Sequence, residues 1–122
     1  MLECTILGKH GPYPEPGGAC SGYLIRKEDS YFLFDMGAGA FGRLMENIDP
    51  SHLEAVFISH WHSDHCSDLL IFDYYLRSLQ QEGRKPITLY GPRDETSIVF
   101  NHVIISLFFQ FFEAHPADEI VT

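Results

Sequence analysis

The stretch AVFISHWHSDHCSDLLIFDYYLRSLQQEG, Ala55 to Gly83, constrains the architecture of this chain most strongly. Leu53 to Ile58, with AVFI inside it, is a short apolar run that suits a buried strand. Leu69, Phe72, Leu76 and Leu79 recur on one face of a helix expected over Asp68 to Glu82, and Gly83 is its stop. A buried strand that passes through a short loop into an amphipathic helix is a β–α unit, and along the chain strands come first, then alternating helix and strand. The loop holds three histidines and an aspartate within six residues: His60, His62, Asp64 and His65.

The flanking sequence fits that frame. Leu2 to Leu7 reads as a first strand, followed by GKHGPYPEPGGAC, a Gly/Pro-rich loop with no regular structure. Ser21 to Arg26 and Tyr31 to Asp35 predict a hairpin that turns at Lys27 to Ser30. The second of these strands, YFLFD, runs into MGAGA, where Gly37 and Gly39 permit a tight strand-to-helix turn. Phe41, Leu44, Met45 and Ile48 then recur at helical spacing, and Asp49-Pro50 ends that helix. Downstream, Ile87 to Tyr90 predicts a strand and Asp94 to Phe112 a second long helix. His115 is placed in an exposed loop before Pro116, and EIVT, Glu119 to Thr122, resembles the start of a further strand.

His60 and His62 are two apart after a strand, so in an extended loop their rings point the same way and can grip one metal ion. Asp64 and His65 fall where the chain turns into a helix and are directed to a second ion. Histidine and aspartate without thiolate suit Zn²⁺, Mn²⁺ or Fe rather than a structural cysteine–zinc site. Two ions about 3.5–4 Å apart polarise a phosphoryl or carbonyl oxygen and generate hydroxide at neutral pH.

HxHxDH after a hydrophobic strand resembles the signature of the metallo-β-lactamase superfamily. FLFDMGAG resembles that family's strand-ending aspartate and glycine, and LGKHGPYPEPGGACSGYLI resembles the opening of its ribonuclease Z-like branch. The similarity covers nearly the whole chain. It implies an α/β fold, the four-layer αββα sandwich of two similar halves, of which residues 1–122 supply about the first half. Such a domain takes about 200 residues or more, so the chain is expected to be an N-terminal half or truncated product.

The resemblance further implies that His60 and His62 bind a first metal and Asp64 and His65 a second, with two zinc ions in the full-length protein and Mn or Fe as alternatives. Asp64 would also stand beside the bridging hydroxide, orienting it or accepting its proton. Asp35 would anchor the loop by hydrogen bonds without touching metal. The family's later ligands, a histidine, an aspartate and a final histidine, have no counterpart. Only His102 and His115 lie downstream, one in an apolar helical run and one in a loop. Asp68 stands where tRNA-processing members carry glycine, and DHCSDLL looks more like a group of small bacterial hydrolases in the same branch.

The net charge of −9 and the lack of a Lys/Arg run argue against a nucleic-acid footprint in this segment by itself. The start, MLECTILGKH, is unlike a secretory leader, and three cysteines without CxxC suit a reduced, cytoplasmic protein. Ile98 to Phe112 is too short and too polar for a membrane span. His10 lies in a loop that borders the site in this fold, and reads as a solvated residue first and a substrate contact second. His52 reads as surface, Cys66 as packed inward, and Tyr74 and Tyr75 as core or interface. The leading expectation is a metal-dependent phosphodiesterase with a small-molecule, nucleotide or RNA substrate. The others are a metallo-hydrolase of a thioester, lactone or β-lactam, and a catalytically incomplete half-domain. Half a sandwich exposes a sheet face, so a homodimer or complementing chain is expected to cover it.

Overall fold

The computed structural model describes residues 1–79, 87–98, 100–101 and 112–116, the last for their backbone alone. Six strands form one sheet in sequential order. They are β1 (Leu2–Gly8), β2 (Gly22–Lys27), β3 (Ser30–Phe34), β4 (Leu53–Phe57), β5 (Ile87–Gly91) and β6 (Phe112–Pro116). The first three are antiparallel, and β2 and β3 are joined by Glu28 and Asp29, with Glu28 in the left-handed region at φ 54°. From β3 onward all pairings are parallel. Helix α1 (Ala40–Met45) connects β3 to β4. The single turn α2 (Ser63–Cys66) and the longer α3 (Leu69–Leu79) follow β4.

Parallel neighbours need crossovers, and right-handed crossovers that advance in one direction put their helices on one face of the sheet. The core sits on that face. Leu24, Leu33, Val56 and Leu89 lie in register across β2 to β5, against Ala40, Phe41 and Leu44 of α1 and Leu69, Phe72 and Leu76 of α3. Phe72 is fully buried and contacts Phe41 at 5.7 Å between ring centroids. Such a side chain contributes about 1.5–3 kcal/mol by burial alone.

The next register row faces the other way. Ile6, Tyr23, Phe34, Phe57 and Tyr90 cross the sheet on the helix-free side. Phe34, Phe57 and Tyr90 stack at 4.7 and 4.8 Å with their rings 9° from parallel. Ile6 remains 61% exposed and Phe34 42%, so this apolar face lacks a covering layer among the described residues. One mixed sheet with helices on one face is one half of a sandwich.

Several expected boundaries move. The loop–helix junction is split, with α2 ending at Cys66 and α3 starting at Leu69, because Asp68 turns back to the first helix. The long helix expected over Asp94 to Phe112 does not reach Phe112, which begins β6; residues 98, 100 and 101 are helical. His115 is not in a loop. It lies in β6 opposite Tyr90, because the open edge of β5 offers backbone groups that a sixth strand satisfies. His102 and Glu119 to Thr122 lie outside the described residues. Tyr75 packs on Phe41 and Phe72 as expected, whereas Tyr74 is 72% exposed and belongs to no core.

Candidate metal centre

The motif loop leaves the carboxyl end of β4, between the carboxyl ends of β3 and β5, where open α/β sheets gather their functional groups. His62, the residue before α2, is extended at φ −69° and ψ 144°. Alternate residues therefore face the same way. The rings of His60 and His62 meet edge to face at 4.8 Å between centroids, while Trp61 turns to the opposite side and is 6% exposed. Its indole N–H donates to the Pro92 carbonyl at 2.6 Å and its ring packs on Phe100. A Cβ on Gly91 would fall 2.7 Å from that indole, so this glycine gives Trp61 its seat.

The turn of α2 then returns His65 toward His60, at 4.0 Å between ring centroids. Three imidazoles thus form one cluster, with His60 next to both others. Asp64 joins it through Oδ2, 3.4 Å from His65 Nε2. Among the described residues, no three His, Cys, Asp or Glu side chains are arranged to hold an ion together.

Asp35 organises the cluster from behind. It is buried, directly follows β3, and adopts φ 63°, a left-handed conformation that Asp and Asn tolerate best after glycine. Its Oδ1 accepts from the Ser59 amide at 2.7 Å. Its Oδ2 accepts from the Ser59 hydroxyl and lies against His65 Nδ1, both at 2.8 Å. A carboxylate only accepts, so His65 Nδ1 carries a proton, and in the neutral ring Nε2 keeps a lone pair. The Ser59 hydroxyl has spent its one proton on Asp35. It therefore accepts from His60 Nδ1, 3.0 Å away, and Nε2 of His60 also keeps its lone pair. One buried carboxylate sets the tautomer of two rings.

With the ring neutral, His65 Nε2 faces Asp64 Oδ2 as acceptor against acceptor. A cation between them satisfies both, so the donor set fits a divalent ion.

The surrounding loops are tied to the same point. Met36 N–H donates to the His65 carbonyl at 2.8 Å, and Asp68 N–H to the Met36 carbonyl at 3.0 Å. A Cβ on Gly37 would lie 2.0 Å from the Asp64 carbonyl oxygen, and one on Gly11 would lie 2.7 Å from Asp64 Oδ2. The residue that departs from the tRNA-processing pattern, Asp68, accepts from Phe41 N–H at 3.0 Å and so binds the motif to α1. Burial pushes its carboxyl up, against the pull of the Phe41 and Gly39 amides. Cys66 is fully buried with its thiol on the His62 carbonyl, and burial, then Asp35 and Asp64, pushes it up to about 12. On the far side, Asp94 is held below the usual carboxylate range, first by the Thr96 hydroxyl and more weakly by His62. His10 is half-exposed in its loop, and its Nδ1 accepts from Glu15 N–H at 3.2 Å.

Ser59, Gly11, Trp61 and Asp94 were not singled out from the sequence. Ser59 sits next to His60 and its type fits an acceptor–donor link. The others depend on loop approaches that carry no local signal.

Comparison with known proteins matches residues 16–77 to the metallo-beta-lactamase superfamily. The chain belongs to the metallo-β-lactamase superfamily. Among curated metallo-β-lactamase relatives, the probable metallo-hydrolase YhfI of Bacillus subtilis is 32% identical over 92 residues, 74% of this chain and 38% of that protein. Human zinc phosphodiesterase ELAC protein 1 is 31% identical over 121 residues, 87% of this chain and 33% of that protein. The crystal structure of YhfI aligns with TM-score 0.80 and 25% identity over 99% of this chain and 49% of the other. Human tRNase Z, short form, aligns with TM-score 0.74 and 29% identity over 95% of this chain and 45% of the other. The chain therefore spans between a third and two fifths of the length of these curated relatives, and its single sheet is part of the metallo-β-lactamase fold.

Proposed function

We propose that the protein is a metal-dependent hydrolase that cleaves phosphodiesters. The observation that carries this reading is the Asp35 network, which leaves lone pairs on His60 Nε2 and His65 Nε2 beside the Asp64 carboxylate. His60 and His62 would hold one ion, Asp64 and His65 a second, with zinc as the metal and Mn or Fe as alternatives. The phosphodiester is favoured because a curated relative is a zinc phosphodiesterase.

When bound, the ions supply charge that polarises a phosphoryl oxygen and acidifies water. The chain's own residues do the rest. Asp35 and Ser59 hold His60 and His65 in one tautomer and orientation. Asp64, beside the cluster and under Gly11, orients the attacking water or accepts its proton. Trp61, seated on Gly91, fixes the loop so that these groups keep their spacing, and positioning of this kind supplies much of a hydrolase's rate.

A catalytic zinc normally has three protein ligands. Residues 1–122 offer two for each ion, so by themselves they are expected to turn over little or no substrate. The apolar sheet face bearing Ile6 and Phe34 is read as the seat of a second sheet, contributed from outside these residues or by a second copy. No helix among the described residues is long and apolar enough to cross a membrane. The free thiols of Cys4, Cys20 and Cys66 suit a reducing, cytoplasmic setting.

The test is hydrolysis by the intact protein, supplied with Zn²⁺ or Mn²⁺, of bis(p-nitrophenyl) phosphate, a thioester and a β-lactam. Turnover of the phosphodiester, lost with Asp64→Ala, is the expected result. Turnover of the thioester or β-lactam alone would replace the phosphodiester reading.

A further inference from the structure

We propose that the cavity between the glycine-rich loop and α1 binds a phosphate group of the substrate other than the one being cleaved, through Lys9 and Arg43. The cavity measures about 390 Å³ and is lined by Lys9, His10, Gly17, Gly18 and Arg43, with the end of β1. The inference rests on the phosphodiesterase reading for its substrate, and on separate geometry for its site.

Charge makes the first case. The chain has 17 acidic and 8 basic residues, so two cations on one cavity run against its composition. Among the described residues, neither Lys9 nor Arg43 is paired with a carboxylate; the ion pairs involve the amino terminus, His10, His65, Arg77 and Arg93. The guanidinium of Arg43 donates to the Gly17 carbonyl. A guanidinium has five N–H donors, so that bond orients it and leaves others for an acceptor in the cavity.

The loop is built to hold this shape. Lys9 and His10 N–H both donate to the Ala19 carbonyl, at 3.1 and 3.0 Å, and Gly18 N–H to the Glu15 carbonyl at 2.8 Å. A Cβ on Gly18 would fall 2.2 Å from the His10 ring, and Gly17 adopts φ 77° with open space where a side chain would stand. Gly18 makes room for the His10 ring, and Gly17 leaves the wall open to an oxyanion. The acid at this rim, Glu15, has its carboxylate on His10 Nε2 at 3.9 Å. A planar fork beside a lysine charge suits the oxygens of a phosphate.

The loop that lines the cavity also reaches the metal centre. Gly11, two residues after Lys9, abuts Asp64 Oδ2. Two residues of chain span at most about 7 Å. A nucleotide with its scissile phosphate at Asp64 can therefore place a neighbouring phosphate between Lys9 and Arg43.

Two measurements on the intact protein decide it. In an NMR titration with inorganic phosphate, the Lys9, Gly17 and Gly18 amides should shift saturably, with affinity about tenfold weaker in Arg43→Gln. Lys9→Gln, which removes a side chain with no ion pair among the described residues, should weaken it as well, and Arg43→Lys should retain part of it. In kinetics, thymidine 5′-(p-nitrophenyl phosphate) is compared with the same diester carrying a 3′-phosphate. The ratio of their kcat/KM values should favour the second, and fall about tenfold in Arg43→Gln. Phosphate shifts with the same midpoint in both glutamine variants would overturn the site. Phosphate binding that depends on Arg43, with no preference for the 3′-phosphorylated diester, would mean a site for free phosphate and overturn the substrate assignment. If neither diester is hydrolysed while phosphate still binds through Arg43, the hydrolase reading falls and the anion site stands.

Discussion

Replacing Asp35 by Asn tests whether one carboxylate sets the state of the histidine cluster. Asn is nearly isosteric and tolerates the left-handed φ of 63°, so the backbone stays and the hydrogen bonds alone change. Its carbonyl can replace Oδ1 and accept from the Ser59 amide, now at 2.7 Å, as a neutral bond. Its NH₂ must then replace Oδ2, which lies 2.8 Å from both the Ser59 hydroxyl and His65 Nδ1. A donor there cannot face Nδ1–H. His65 must move its proton to Nε2 and donate to Asp64. Bonds to a charged acceptor are worth about 1.5–3 kcal/mol each and neutral ones about 0.5–1.5, so three such changes should cost about 2–4 kcal/mol. Urea unfolding reads the stability, and long-range ¹H–¹⁵N NMR reads the tautomer. Zinc affinity should fall about 10–100-fold, as when a partner behind a metal ligand is lost. An unchanged urea midpoint, with His65 still protonated on Nδ1, would refute the reasoning.

Gly37→Ala drives a Cβ into the Asp64 carbonyl oxygen, 2.0 Å away in the present backbone; a loss of about 3 kcal/mol or more in urea unfolding is expected, as for a backbone clash that cannot relax by a rotamer. Phe72→Ala removes a fully buried ring and should cost about 3–5 kcal/mol, checked by the same assay. The Cys66 thiol is raised from 9.0 to about 12 in the folded state. Its contribution to stability is therefore complete below pH 9 and lost as pH rises toward 12; Cys66→Ala should flatten that alkaline decline, read by denaturant midpoints across the window. Thiol labelling with a maleimide should reach exposed Cys4 fast and buried Cys20 and Cys66 slowly; equal rates would contradict the packing.

The fold was legible wherever pattern and burial agree. AVFI became β4, the period of Leu69, Phe72 and Leu76 became the buried face of α3, and YFLF became β3 up to Asp35. The spacing of His60 and His62 translated directly into two rings on one side of an extended loop. Legibility failed where long-range contacts decide. β6 exists because β5 has an open edge, and nothing in FEAHP announces a strand. The split between α2 and α3 follows from Asp68 capping a helix 27 residues earlier. Ser59 as the link between Asp35 and His60 needs β3 and β4 side by side, and the approach of Gly11 to Asp64 needs the folded loop. The cavity at Lys9 and Arg43 joins the loop after β1 to α1, which no local pattern brings together.

The most direct test of the central claim is anomalous diffraction from crystals of the intact protein loaded with zinc. Two neighbouring ions are predicted, one about 2.0–2.1 Å from His60 Nε2 and from a ring nitrogen of His62, the other at the same distance from His65 Nε2 and bound by Asp64. Zinc bound through Nδ1 of His60 or His65, or no zinc at this cluster in an active enzyme, would contradict it.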